Sequence, residues 1–213
     1  MSSAEMPNVH VIEHPLIRVR LTRLRSHATG TAEFRANLHQ IAQLMIFDVL
    51  RDCTTREVPV ETPLTTTTGA ELERPVVLVP ILRAGLGMVH SMLEVVPEAQ
   101  VGMVGMQRNE TTFEPETYYN KMPSDLGEAD VIIVDPMLAT GNSAVDAATS
   151  LKKQGAQRLR FLNLVSCPDG IRQMNHMHPD VRIFTAAIDG GLNDQAYIVP
   201  GLGDAGDRYF GTL

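Results

Sequence analysis

Apolar residues recur along this chain in two alternating rhythms. Between Thr31 and Cys53, the residues Phe34, Leu38, Ile41, Met45 and Val49 fall three or four apart. That is the spacing of one helix face, and Thr31 stands where its N-cap belongs. The stretch "RPVVLVPILRAGLGMVHSMLEVV" opens as a short β-branched strand, turns at Arg83-Ala84-Gly85 and continues as a helix from about Leu86. "AQVGMVGMQ" predicts another strand. Gln107 to Asp130 is polar, holds two prolines and has no period, so it predicts a long loop.

A strand at Val131–Val134 and a helix from about Ser143 to Gln154, stopped by Gly155, come next. "RLRFLNLVS" predicts a strand, "PDGIRQMNHMHP" a short helix and "DVRIFTAAID" a strand, while the glycine-rich tail from Gly191 holds no long periodic run. Strands alternating with helices predict an α/β fold whose mainly parallel central sheet is flanked by helices. No repeat or linker divides the chain, so residues 1–213 are expected to form one domain.

Composition narrows the function classes. A net charge of −7 argues against a general nucleic-acid or anionic-membrane binder, yet leaves room for a local basic pocket. Cys53 and Cys167 lie far apart without CxxC spacing and suit a reducing compartment as small core residues. The first twenty residues lack the apolar core of a signal peptide, and no run approaches a bilayer span. A cytoplasmic protein is expected. "RVRLTRLR" reads as a solvated or subunit-facing helix surface, "HMHP" as surface histidines near a helix end, and the eleven methionines as core filler.

Two common nucleotide-binding signatures are absent from the sequence. The only lysines are Lys121, Lys152 and Lys153, none after a glycine, which excludes a P-loop. "GLGMVH" has His90 where a dinucleotide fingerprint needs its third glycine. "VIIVDPMLATGNS", Val131 to Ser143, is different: a buried strand delivers Asp135 to the carboxyl edge of the sheet, where open α/β folds bind ligands. The following turn offers backbone N–H groups, the hydroxyls of Thr140 and Ser143, and the positive end of a helix. Together these can cradle a monophosphate without a lysine. Asp135, acceptor-only when ionised, suits ribose hydroxyls better than phosphate. An N-capped helix after an ordinary turn, with Asn142 or Ser143 as cap, is the plain alternative.

That stretch resembles the phosphoribosyl-diphosphate loop of the type I phosphoribosyltransferases. The second acidic position of the family's pattern is Pro136 here. With "VPILRAGLGM", "GMQRNE" and "YIVPGLGDAGDRYFGT", the chain is similar to the uracil phosphoribosyltransferases over nearly its whole length, from about Val9. Asn142 departs from the pattern, standing where many members have a second glycine.

The resemblance implies a reaction, a cofactor and a site. Uracil and 5-phospho-α-D-ribose 1-diphosphate would give UMP and diphosphate in pyrimidine salvage, with magnesium (Mg2+) held mainly through the substrate's phosphates. Pro136, Met137 and Leu138 would lie along the substrate loop, Ala139, Thr140, Gly141, Asn142 and Ser143 would hold the 5′-phosphate, and Asp135 the ribose. Arg83 would meet the diphosphate, and Arg108 would open a lid over it. Ile198, Gly203 and Ala205 would take uracil through backbone groups, with Asp204 between them facing the diphosphate side. Arg83 and Asp204 are the two expected to act in the chemistry, and no residue stands out as general base for uracil N1. The resemblance also raises GTP as a candidate activator, and a homodimer or homotetramer. A non-catalytic nucleotide-binding regulator of the same fold is the alternative from another class, and a purine or orotate transferase a third reading. The acidic charge and missing basic stripe weigh against the regulator.

Overall fold

Parallel strands covered on both faces read as unbroken apolar runs, and such runs form the middle of the sheet. The computed structural model describes residues 8–108 and 115–212, without the side chains of 106–108 and 115–118. Strand β1 (Val9–Val11) leads into α1 (Pro15–Arg25) and α2 (Thr31–Val49). Strands β2 (Thr55–Glu61) and β3 (Thr66–Leu72) are followed by β4 (Val76–Leu82), α3 (Leu86–Leu93), β5 (Gln100–Val101), β6 (Met103–Arg108) and β7 (Pro115–Lys121). After a 3-10 turn at Leu126–Glu128 come β8 (Asp130–Val134), β9 (Met137–Leu138), α4 (Asn142–Lys153), β10 (Arg158–Ser166), α5 (Pro168–Met177) and β11 (Arg182–Ile188). The short strands β12 (Gly191–Leu192) and β13 (Ile198–Val199) precede α6 (Ala205–Phe210).

The main sheet runs β1-β11-β10-β8-β4-β6-β7, parallel throughout except for β7 against β6. Period-two geometry sends alternate residues to opposite faces. Ile132 and Val134 join Phe34, Leu38, Met45 and Met88 under α1, α2 and α3. Val131 and Ile133 join Ala147, Leu151 and Ile171 under α4 and α5. The sheet is the expected α/β core, and its carboxyl edge carries the turns after β4, β8 and β10.

Several expectations are corrected. Phe34, Leu38, Ile41, Met45 and Val49 are all fully buried, but the cap of α2 is Gly30, and Thr31 is already helical. Gln107–Asp130 is not loop throughout: residues 115–121 form β7, antiparallel to β6, because "PETYYNK" supplies β-forming residues opposite "MVGMQR", while 109–114 lie outside the described residues. The hairpin β2–β3 went unpredicted. Its strands are almost wholly exposed, so it carries no core-facing stripe to read. His178 is buried, not a surface histidine. Its ring bridges α4 and α5, with Nε2 2.9 Å from the Thr149 hydroxyl and Nδ1 3.1 Å from Lys152 Nζ.

Candidate active site

The sheet edge turns between β8 and β9. Strand β8 ends at Val134, and Asp135 N–H still reaches Leu162 O at 3.1 Å. The carbonyl of Pro136 then accepts from Leu164 and Val165 N–H, at 2.9 and 3.1 Å, and β9 pairs with Val165–Ser166. Thus Pro136 fixes the turn to β10 rather than facing the ligand space. At Gly141, φ is +87°, a value that favours glycine, and this residue is the N-cap of α4. Asn142 is the first helical residue. Its place in the helix requires no positive φ, so a glycine is not needed there.

A helix from the other side completes the turn. A Cβ at Gly170 of α5 would lie 2.5 Å from Ala139 O and 2.7 Å from Leu138 O. Cys167 adds a backbone donor to Leu138 O at 3.1 Å and its Sγ to Ala139 O at 3.1 Å. Carbonyls are thereby drawn toward α5, leaving the opposite face of the turn to its N–H groups and to the start of α4.

A cavity of about 270 Å³ opens at this edge. Asp135, Met137, Leu138, Ala139, Thr140, Gly141 and Ser143 line one side. Ile198, Gly203, Asp204 and Ala205 line the other, so turn and tail, some sixty residues apart, share one space. Pro136, Asn142 and Arg83 do not line it. Arg108 ends β6, and its side chain lies outside the described residues. Residues that sequence reasoning missed are Ala84, Ala144, Gly206 and the corner Ala196–Tyr197. Asn193 builds that corner: its Oδ1 accepts from Gln195 and Tyr197 N–H at 3.0 and 2.9 Å. Ala196 is held there at φ +63°, an uncommon value for a side-chain-bearing residue and the one signal at this corner of a functional turn.

Burial pushes the Asp135 carboxyl up to about 7. A hydrogen bond from Met137 N–H opposes the shift and the nearby Asp204 carboxylate adds to it. Asp204 is the N-cap of α6, its Oδ1 accepting from Asp207 N–H at 2.8 Å. Arg83 follows β4 after a cis peptide bond and is exposed, 3.2 Å from Asp207 Oδ1 and with its guanidinium over the Phe210 ring. Its turn needs Gly85, where a Cβ would meet Val134 O at 2.2 Å. Among the described residues no three His, Cys, Asp or Glu gather as a metal site, and no helix is long and apolar enough to cross a membrane.

A parallel sheet with a glycine-bearing turn after β8, an acidic residue at the strand end and a C-terminal segment across the cavity define a type I phosphoribosyltransferase. The solved adenine phosphoribosyl transferase of Trypanosoma brucei shares this fold, with a TM-score of 0.59 at 12% identity, covering 89% of this chain and 87% of that one. Residues 11–212 match the family profile of uracil phosphoribosyltransferase, and the chain belongs to that family. A uracil phosphoribosyltransferase of Exiguobacterium sibiricum is 50% identical over 208 residues, 97% of this chain and 100% of the relative. One of Staphylococcus aureus is similar to the same extent, 50% over 208 residues. The solved structure of the AQ2163 protein from Aquifex aeolicus superposes with a TM-score of 0.89 at 34% identity, covering 95% of this chain and 97% of that one.

Proposed function

We propose that this chain is a uracil phosphoribosyltransferase, joining uracil N1 to C1′ of phosphoribosyl diphosphate and releasing diphosphate. The observation that carries this is the single cavity between Asp135–Ser143 and Ile198–Ala205. In this reading the N–H groups and hydroxyls of Ala139–Ser143 hold the 5′-phosphate at the start of α4, where anions are favoured. Asp135 accepts from ribose hydroxyls. Arg83, exposed beside Asp207, presents its fork to the diphosphate. Gly203 and Ala205 have no polar side-chain atoms, so they meet the base through the backbone, and Ile198 adds an apolar contact.

Asp135 and Asp204 are two carboxylates on one cavity, and with phosphate oxygens they make the all-oxygen donor set that a hard divalent cation takes. Magnesium arriving with the diphosphate would neutralise the leaving group's charge. Catalysis is then mainly positioning and charge stabilisation, with the β6–β7 hairpin and Arg108 in the role of cover against water.

We also infer self-association. The β2–β3 hairpin has exposed strands, an almost fully exposed Leu64 at its tip and no core of its own. An isolated hairpin is marginal in water, so a second copy is the natural cover. The unpaired Cys53 and Cys167 suit a reducing, cytoplasmic setting. The test is diphosphate release from phosphoribosyl diphosphate with each of uracil, orotate, adenine and guanine, with and without magnesium and GTP, alongside the mass in solution. Release that requires uracil supports the reading, and release with a purine alone overturns it.

A further inference from the structure

The tail that faces the cavity is held from the far end of α1. Arg25, the last residue of α1, forks onto Asp189: Nη1 donates to Oδ2 at 2.6 Å and Nη2 to Oδ1 at 2.7 Å. The same Nη1 donates to Gly201 O at 2.7 Å, and Gly201 N–H donates back to Asp189 Oδ2 at 2.8 Å. Both backbone groups of Gly201 are therefore occupied by one ion pair. Asp189 is buried and anchored to the sheet, its N–H donating to Ser166 O at 2.8 Å. Gly201 stands between Ile198 and Gly203 with φ +57°, and a Cβ on it would lie 2.1 Å from Ile198 O.

A second arginine closes the corner in the opposite direction. Arg208 of α6 donates to the carbonyls of Leu24 and Ser26 at the end of α1, and to Leu202 O at 2.7 Å. Arg25 is thus held by its own chain, unlike the solvated residue that "RVRLTRLR" suggested. Neither Arg25 nor Asp189 lines the cavity.

We propose that Arg25 and Asp189 are positioning residues for the pyrimidine, setting the Ile198–Gly203 backbone against which the base is recognised. This rests on the reading that the segment binds uracil. Backbone donors and acceptors have no rotamers with which to correct an error, so their accuracy is that of whatever holds the chain. A misplacement of about 1 Å costs on the order of 100-fold in rate when it reaches the reacting groups. A buried ion pair is weak evidence of a stabilising role, since desolvation offsets much of its attraction. Bidentate geometry with both backbone groups of one glycine satisfied is what a device for placing a segment requires.

The test is steady-state kinetics of the full chain as wild type, Arg25→Lys, Arg25→Met, Asp189→Asn and the Met/Asn double variant, each with a thermal melt. Arg25→Met and Asp189→Asn should raise KM for uracil about 10- to 100-fold. KM for phosphoribosyl diphosphate should stay within about twofold, because the phosphate turn is anchored separately on β10 and α5. Arg25→Lys should fall between, as an ammonium cannot hold a carboxylate in a fork and a carbonyl together. The double variant should be no worse than the more affected single one, since both act through one contact. An unchanged uracil KM in folded Asp189→Asn or Arg25→Lys overturns the proposal. So does a parallel rise in both KM values, which would mean general loosening. Should Arg25→Met not fold, the lysine and asparagine variants decide alone. A wild-type chain inert towards uracil would instead overturn the functional reading.

Discussion

Arg83 is paired with Asp207, Nη2 to Oδ1 at 3.2 Å, each next in sequence to a residue of the cavity wall, Ala84 and Gly206, and Asp207 is also tied to the Thr212 hydroxyl at 2.6 Å. The hydrogen bond from Thr212, with the Arg83 guanidinium adding to it, holds the Asp207 carboxyl below the usual range. This pair competes with any anion for the guanidinium. Arg83→Lys should cost about 10- to 100-fold in kcat/KM for phosphoribosyl diphosphate, because a point donor cannot reproduce a fork. Asp207→Asn should act the other way, lowering that KM by at most about fivefold, as exposed pairs are worth little. Initial rates at varied phosphoribosyl diphosphate check both signs; a normal lysine variant removes Arg83 from the site.

Asp135 makes a pH prediction. Its folded carboxyl titrates near 7 and its unfolded one near 3.8. Between these values the native state binds more protons, so its contribution to stability is present at pH 4 and lost as pH rises through 7. In thermal melts without substrate, Asp135→Asn should therefore gain on wild type in moving from pH 5 to pH 8. The wild-type kcat/KM for phosphoribosyl diphosphate should rise through about pH 7 as the acceptor-only form appears, and stay low and flat in the variant. Parallel stability curves for the two proteins would place the carboxyl in solvent.

Base choice follows from backbone donors. Uracil offers an acceptor at O4, whereas cytosine offers an amino donor there. A buried donor left unpaired costs about 1–3 kcal/mol, so cytosine should be at least ~10–100-fold poorer. Orotate should fail because, among the described residues, no lysine or arginine lines the cavity to meet its carboxylate, and 5-fluorouracil should react because it keeps the hydrogen-bonding edge. Initial rates at equal phosphoribosyl diphosphate compare them, and cytosine matching uracil would refute the donor assignment.

Gly170 supplies a reversed sign. Glycine to alanine inside a helix ordinarily stabilises by about 0.5–1 kcal/mol. Here the new Cβ would sit 2.5 Å from Ala139 O, and backbone cannot yield as a side chain can. Gly170→Ala should destabilise by about 1–3 kcal/mol and raise KM for phosphoribosyl diphosphate. Denaturant melts and kinetics measure both, and a more stable variant would show the contact to be slack.

What the sequence disclosed depends on whether a signal is local. The runs at Val76–Leu82, Asp130–Val134 and Arg158–Ser166 declare buried strands because both faces are covered, and Gly141 with Ser143 marks a strand-to-helix turn. The β2–β3 hairpin has no covered face, so periodicity had nothing to report there. His178 and Arg25 misled for another reason. Each is polar, and each is satisfied by groups more than twenty residues away, Lys152 and Thr149 for the one and Asp189 for the other. The tail has no periodic signal and reads by composition as a bland glycine turn; only the family resemblance singled it out, and the sheet places it on the same cavity as Asp135.

The contact between Gly170 and the carbonyls of Leu138 and Ala139 bears on how this chain can change over generations. Gly170 does not line the cavity, yet any side chain there would displace the turn that does. Across a lineage it should be as immobile as the loop itself, and a survey of unvarying positions would misfile it among the reacting groups. Its constancy would report the radius of a carbon atom, with no chemistry behind it.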